Sequence, residues 1–186
     1  MLSSPVTTHK ATFKTVEISG TINIDTVNKV LDVANILPEE IRVIINSPGG
    51  EVQAAEGIIG VFLYLQSDGV TIRCMVDGIA RSAAFWILQA CGERISTPGS
   101  TFLVHEPFAV FDGHGKLEID ELQIMHDELQ GDSEKMAAVS APRMGLTISQ
   151  FHEKIRNKNW TMTSSEAIVN HALDSIYKGP KEGFTQ

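Results

Sequence analysis

The chain has 186 residues, 42% hydrophobic and 20% charged side chains, and a formal charge of -8, which is the composition of one ordinary globular domain with its own core. Its 23 acidic residues against 15 basic ones, with no Lys/Arg cluster, exclude a nucleic-acid footprint. The longest apolar run, Gly57 to Leu65, is about half of what a membrane span needs, and MLSSPVTTHK lacks a signal-type apolar stretch, so a cytoplasmic protein engaging neither nucleic acid nor membrane is expected. Cysteine is limited to Cys74 and Cys91, each inside an apolar run. That pattern excludes a disulfide-framed scaffold and predicts two small, buried thiols in a reducing compartment.

After a polar N-terminal tail over 1–11, Phe13 to Ile18 reads as a strand ending at Gly20, and Val27, Val30, Leu31, Ala34 and Leu37 recur at helical spacing before Pro38. Ile41 to Ile45 is a nearly continuous β-branched run, as in a strand buried on both faces, and a tight turn is expected at Asn46-Ser47-Pro48-Gly49-Gly50. Ala54, Ala55, Ile58, Ile59 and Phe62 trace one helix face, Val70 to Val76 is another strand, and the turn Asp77-Gly78-Ile79-Ala80-Arg81 leads into a helix over Ser82 to Cys91. Thr101 to Val104 is a further strand ending at His105. Strands alternating with helices predict a layered α/β fold with right-handed crossovers, one domain over 12–178 and a C-terminal tail over 179–186.

The last third is different in character. Leu117 to Met144 is acidic and helix-forming, with Leu122, Met125, Leu129 and Met136 near one stripe; on so small a domain it is expected to project and pack against a partner copy. Thr147-x-x-Gln150 and Thr163-x-x-Glu166 are capping boxes. His152-Glu153-Lys154-Ile155-Arg156 lacks the second histidine of a zinc-protease helix, Gly113-His114-Gly115-Lys116 reads as a flexible turn, and neither a metal nor a cofactor is expected.

Ser82 stands where a strand enters a helix, with Ala83 and Ala84 just after it. Small neighbours at such a junction hold a serine oxygen clear of the backbone, although the same position also suits a plain helix N-cap. His105, at a strand's C-terminal end, is the side chain that suits a general base for that hydroxyl. The Pro48-Gly49-Gly50 backbone is able to aim amides at a developing oxyanion, or simply to turn.

The ordered segments Ile45-Asn46-Ser47-Pro48-Gly49-Gly50, Gly78-Ile79-Ala80-Arg81-Ser82-Ala83-Ala84-Phe85, Val104-His105-Glu106-Pro107 and Ser165-Glu166-Ala167 with Leu173-Asp174-Ser175-Ile176 resemble the proteolytic subunit of the Clp protease, the ClpP-like serine peptidases. The resemblance runs from about Thr12 to Ile176. It implies a crotonase-like α/β fold of stacked β-β-α turns with a protruding long helix, and assembly into homo-oligomeric rings that can stack face to face. It also implies Ser82 as nucleophile, His105 as general base and the Gly50 and Ala83 amides as oxyanion hole, with Gly49 beside them and a substrate-pairing strand starting at Glu51-Val52. The implied reaction is acyl-enzyme hydrolysis of a peptide or unfolded protein.

Several positions depart from that pattern. Asn159 stands where the family has its triad aspartate, with Asn157 the second candidate, so slow hydrolysis is expected. Arg81 replaces a small residue beside the nucleophile; it either lines the substrate cleft and favours acidic peptides or pairs with a carboxylate. Phe108-Ala109-Val110 in place of a Gly-rich stretch argues against a stacked double ring. The short tail, with Arg42 and Ile44 in place of docking aromatics, argues against an ATP-driven unfoldase partner and for a stand-alone or virus-encoded peptidase. The competing readings are a ring-forming scaffold without turnover and a crotonase-type acyl-CoA enzyme.

Overall fold

The β-branched runs pair side by side in the computed structural model of the chain, which describes residues 13–110, 118–179 and 182–185. Strand β1 (Phe13–Ile22) pairs in parallel with β2 (Glu40–Gly50), and β2 with β3 (Thr71–Arg81). Helix α1 (Ile24–Ala34) joins the first pair and α2 (Val52–Ser67) the second, so each crossover is a βαβ unit. Helix α3 (Ala83–Gln89) leads to β4 (Glu93–Ser96), parallel to the N-terminal half of β3, while β5 (Thr101–Val104) is parallel to its C-terminal end. The long helix α4 (Ile119–Arg143) and α5 (Ile148–Ile155) precede β6 (Trp160–Thr163), the antiparallel partner of β5. Helix α6 (Ser164–Val169) and β7 (Ser175–Ile176), parallel to β4, complete the sheet, and α7 (Glu182–Thr185) follows. The expected α/β class with a parallel sheet and a long helix is what forms.

The period of two explains why β2 and β3 are apolar along most of their length. Val43, Ile45, Cys74 and Val76 face the main core under α1, α2 and α3, and the residues between them, Ile44 and Met75, face a second cluster with Ile95 and Phe184. All five residues expected on the buried face of α2 are buried there. Helix α1 ends at Ala34 with Asn35 as its cap, earlier than Pro38 suggests, and Leu37 lies beyond it at a φ of 51°. In α4 burial is confined to Met136, Ala137, Ser140 and Ala141, so the N-terminal half stands off the domain. Both expected capping boxes form, at Thr147/Gln150 and at Thr163/Glu166.

Three expectations are corrected. Asn46 to Gly50 is no tight turn: β2 runs on through Gly50, with a register shift that the glycines accommodate. Likewise β3 continues through Asp77-Gly78 to Arg81 and enters α3 directly. Cys74 and Cys91 are not free thiols but a disulfide, because β3 and the end of α3 bring their Cα atoms to 6.0 Å, inside the range that a disulfide spans. The N-terminal tail, the Gly113–Lys116 turn and Leu117 lie outside the described residues. Within the expected C-terminal tail, α7 buries Phe184 against Ile44, Met75 and Ile95, and Arg42 donates to the Phe184 carbonyl at 2.7 Å.

A half-buried ion pair ties the C-terminal part to the sheet. Arg94, 4% exposed, donates to Asp174 at 2.6 and 3.2 Å and to Gln89 at 2.7 Å. Burial pushes the Asp174 carboxyl up, but the side-chain and backbone hydrogen bonds from Arg94 outweigh it and hold the group below its ordinary value.

Candidate active site

The Asn46-Ser47-Pro48-Gly49-Gly50 segment is pinned from both sides. Ser47 is fully buried; its hydroxyl donates to the Gly20 carbonyl at 2.6 Å and accepts from the Gly49 amide at 3.0 Å. Asn46 Oδ1 accepts from the Ile79 amide at 3.3 Å, so the two polar residues of the block hold the end of β2 to β1 and to β3. Gly49 then passes directly over the β3–α3 junction. A Cβ there would lie 2.7 Å from the Arg81 carbonyl, 2.8 Å from Ser82 Cβ and 3.1 Å from the Ala83 amide, and only glycine permits that approach at its φ of 103°.

Ser82 occupies the N-cap position of α3, yet its side chain makes no capping hydrogen bond. Its backbone has φ 52° and ψ -125°, outside the regions that a non-glycine residue adopts without strain. The conformation is held because the Ser82 amide donates to the Leu103 carbonyl at 2.8 Å, on the same strand that ends at His105. The plain N-cap reading therefore loses its basis. The hydroxyl is spared from local bonding, and the strand that fixes its backbone also carries the imidazole.

His105 Nδ1 lies 2.6 Å from the Glu106 carbonyl oxygen. A carbonyl only accepts, so geometry assigns the proton to Nδ1 and leaves Nε2 as the basic nitrogen. Ser82 and His105 line one small cavity, with Val52, Ala83, Trp86, Pro107, Asp132 and Met136 as its other walls. A larger cleft of about 670 Å³ also borders His105, with Pro48, Arg81, Glu106, Asn157 and Asn159 among its other walls.

Asn159 and Asn157 thus share a cleft with His105, but neither makes a hydrogen bond to its ring among the described residues. Asn157, at a φ of 56°, donates its amide to the Glu106 carboxylate at 2.9 Å, which supports the loop bearing the histidine. Arg81 is exposed, has no ion pair among the described residues and lines the cleft. Ala83 is the first residue of α3, where an amide has no acceptor within the helix; Gly50 ends β2 against Ile22 of β1. Glu51 and Val52 do not begin a strand. Glu51 is the N-cap of α2 and Val52 its first residue, so the expected substrate-pairing strand is corrected to a helix start.

A family model described as Clp protease matches residues 6–179. The chain belongs to the Clp protease family. Its curated relatives include the ATP-dependent Clp protease proteolytic subunits of Streptococcus mutans and of Porphyromonas gingivalis, each 29% identical over 140 residues. Proteolytic subunit 1 of Cutibacterium acnes is 34% identical over 142 residues. Each alignment covers 74% of this chain, and between 60% and 68% of the length of those Clp relatives.

For this Clp family member, sequence reasoning missed three parts of the site. Ser47, a positioning residue, left no signal beyond its place in a motif. The Glu106 carbonyl is a backbone group, and every residue has one. Asp132 reaches the cavity from α4, and the one hint was its spacing of four from Met136, which puts both on one helix face. Among the described residues no helix is long and apolar enough to cross a membrane.

Proposed function

We propose that the chain is a serine endopeptidase that hydrolyses peptide bonds of a peptide or unfolded protein through an acyl-enzyme, in the cytoplasm and inside a ring-shaped homo-oligomer, from one peptidase domain over 12–178. The observation that carries this reading is the uncommitted Ser82 hydroxyl in the same cavity as an imidazole whose Nδ1–H is already tied to the Glu106 carbonyl. Nε2 takes the Ser82 proton as Oγ bonds to the scissile carbonyl carbon. The resulting oxyanion is met by the amides of Gly50 and Ala83. Collapse breaks the C–N bond as His105 hands its proton to the leaving amine; a water deprotonated by the same nitrogen then releases the acyl group and restores Ser82. No cofactor enters any of these steps.

The third place of the site belongs to the groups that orient His105. In the free enzyme that group is the Glu106 carbonyl, and Asn159, in the same cleft, is the side chain placed to share the work once substrate fills it. Neither is a carboxylate, so the imidazolium gains no full countercharge, which supports slow turnover. Gly49 and Arg81 border the substrate path.

Arg42 and Ile44 support a stand-alone enzyme. They hold the chain's own α7, Arg42 through the Phe184 carbonyl and Ile44 through the Phe184 ring, so that surface is covered from within. The test is turnover of fluorogenic peptides and of an unfolded protein by the assembled parent and by Ser82→Ala. Loss of at least about 10³-fold in the variant is expected; equal turnover would overturn the reading.

A further inference from the structure

The small cavity beside Ser82 and His105 is walled by Val52, Ala83, Trp86, Pro107 and Met136, apolar groups that suit an aliphatic stem. Asp132 is the exception among them. Its side chain is only 15% exposed, and its charged partner is Lys135 at 3.5 Å, longer than a hydrogen bond. The Lys135 ammonium is committed elsewhere, to Glu56 at 2.6 Å, and the lysine side chain is 57% exposed. Asp132 therefore brings a part-buried carboxylate to the cavity wall, with Lys135 as its ion-pair partner among the described residues.

We propose that Asp132 makes this cavity a specificity pocket for a cationic side chain, Lys or Arg, on the residue that donates the scissile carbonyl. The inference rests on the peptidase reading above and names the substrate class of that same site. A carboxylate in the pocket beside the nucleophile offers a long cationic side chain a charge-assisted bond, while apolar walls cover its methylenes. The indole of Trp86 favours a cation that comes to lie over its face. In the free enzyme the cavity is small, about 20 Å³, so the incoming side chain displaces a wall. The exposed Lys135 is the group that a substrate cation replaces. Arg81 lines the larger cleft and is absent from the lining of this pocket.

The experiment measures kcat/KM of the assembled full chain on otherwise identical fluorogenic peptides with Lys, Arg, Leu, Ala or Glu before the scissile bond, for the parent, Asp132→Asn, Asp132→Val and Lys135→Ala. Fluorophosphonate labelling of Ser82 runs in parallel on every protein. The Lys and Arg peptides should exceed the Leu peptide by at least about tenfold in the parent. Asp132→Asn, nearly isosteric, should lose that advantage, Asp132→Val should reverse it in favour of Leu, and Lys135→Ala should widen it. Labelling of Ser82 throughout with a Leu or Ala preference in the parent, or with a ranking unchanged by Asp132→Asn, would overturn this inference and leave the peptidase reading standing. Absence of both labelling and cleavage in the parent would overturn the peptidase reading and this inference with it.

Discussion

Ser82 shows most clearly how the site is made at the scale of a residue. Holding a serine at φ 52° and ψ -125° costs about 1–3 kcal/mol, and the fold sustains it through the Leu103 carbonyl and the close pass of Gly49. Ser82→Gly is therefore expected to be about 1 kcal/mol more stable than Ser82→Ala in denaturant titrations, with both inactive, because glycine accepts this conformation and alanine does not. Equal stabilities would remove strain from the account. A second expectation concerns His105: with its Nδ1–H on the Glu106 carbonyl, Asn159→Ala should retain kcat/KM to within about tenfold, against a loss near 10⁴ for a triad whose orienting group is essential. A loss of that larger size would make Asn159 the group that orients the ring in catalysis. The placement of Ser82 and His105, each at a strand end, was legible in the sequence because each sits in a recognisable motif. Asp132 was not, since only tertiary packing of α4 brings it to a serine 50 residues earlier in the chain.

At the scale of elements, the Arg94–Asp174 pair joins β4 to β7 and gives the sheet a pH-sensitive fastening. The Asp174 carboxyl has its value depressed on folding, so the stabilisation is whole above the ordinary aspartate value of 3.8 and is lost as pH falls through the lower folded value. Asp174→Ala is expected to cost about 2–4 kcal/mol at neutral pH, less than for a fully buried pair because Asp174 is itself 38% exposed, and to flatten the acid limb of a stability-versus-pH curve. An unchanged acid limb would assign that limb to other carboxylates. The longer elements β1, β2, β3, α1, α2, α3 and α4 were legible from their patterning, both capping boxes from their spacing, and the short β5 from its apolar run before His105. The short strands β4, β6 and β7 were not, because segments of four, four and two residues are defined by their ladder partners and carry no period of their own. The glycines of Pro48-Gly49-Gly50 and of Asp77-Gly78 resembled turn signals, whereas here they serve close approach inside running strands. The disulfide was missed for a similar reason, since the pairing of Cys74 with Cys91 depends on α3 folding back along β3.

For the molecule as a whole, α4 is held to the subunit mainly through its C-terminal half. Its first turns carry Ile119, Leu122 and Ile124 at 82%, 47% and 60% exposure, apolar surface that an assembly of copies would cover. Leu122→Glu with Ile124→Glu is expected to lower the mass measured by light scattering while leaving the far-ultraviolet dichroism of the subunit unchanged; an unaltered mass would place the contacts between copies elsewhere. The covered surface at Arg42, Ile44 and Phe184 complements this picture, because it leaves the subunit without an open apolar face there. The central claim remains that Ser82 is an activated nucleophile, and fluorophosphonate labelling read by intact mass tests it most directly, on the assembled parent, Ser82→Ala and His105→Ala. One adduct is expected on the parent and none on either variant. A correctly assembled parent that takes no adduct, or an adduct that survives Ser82→Ala, would contradict that claim.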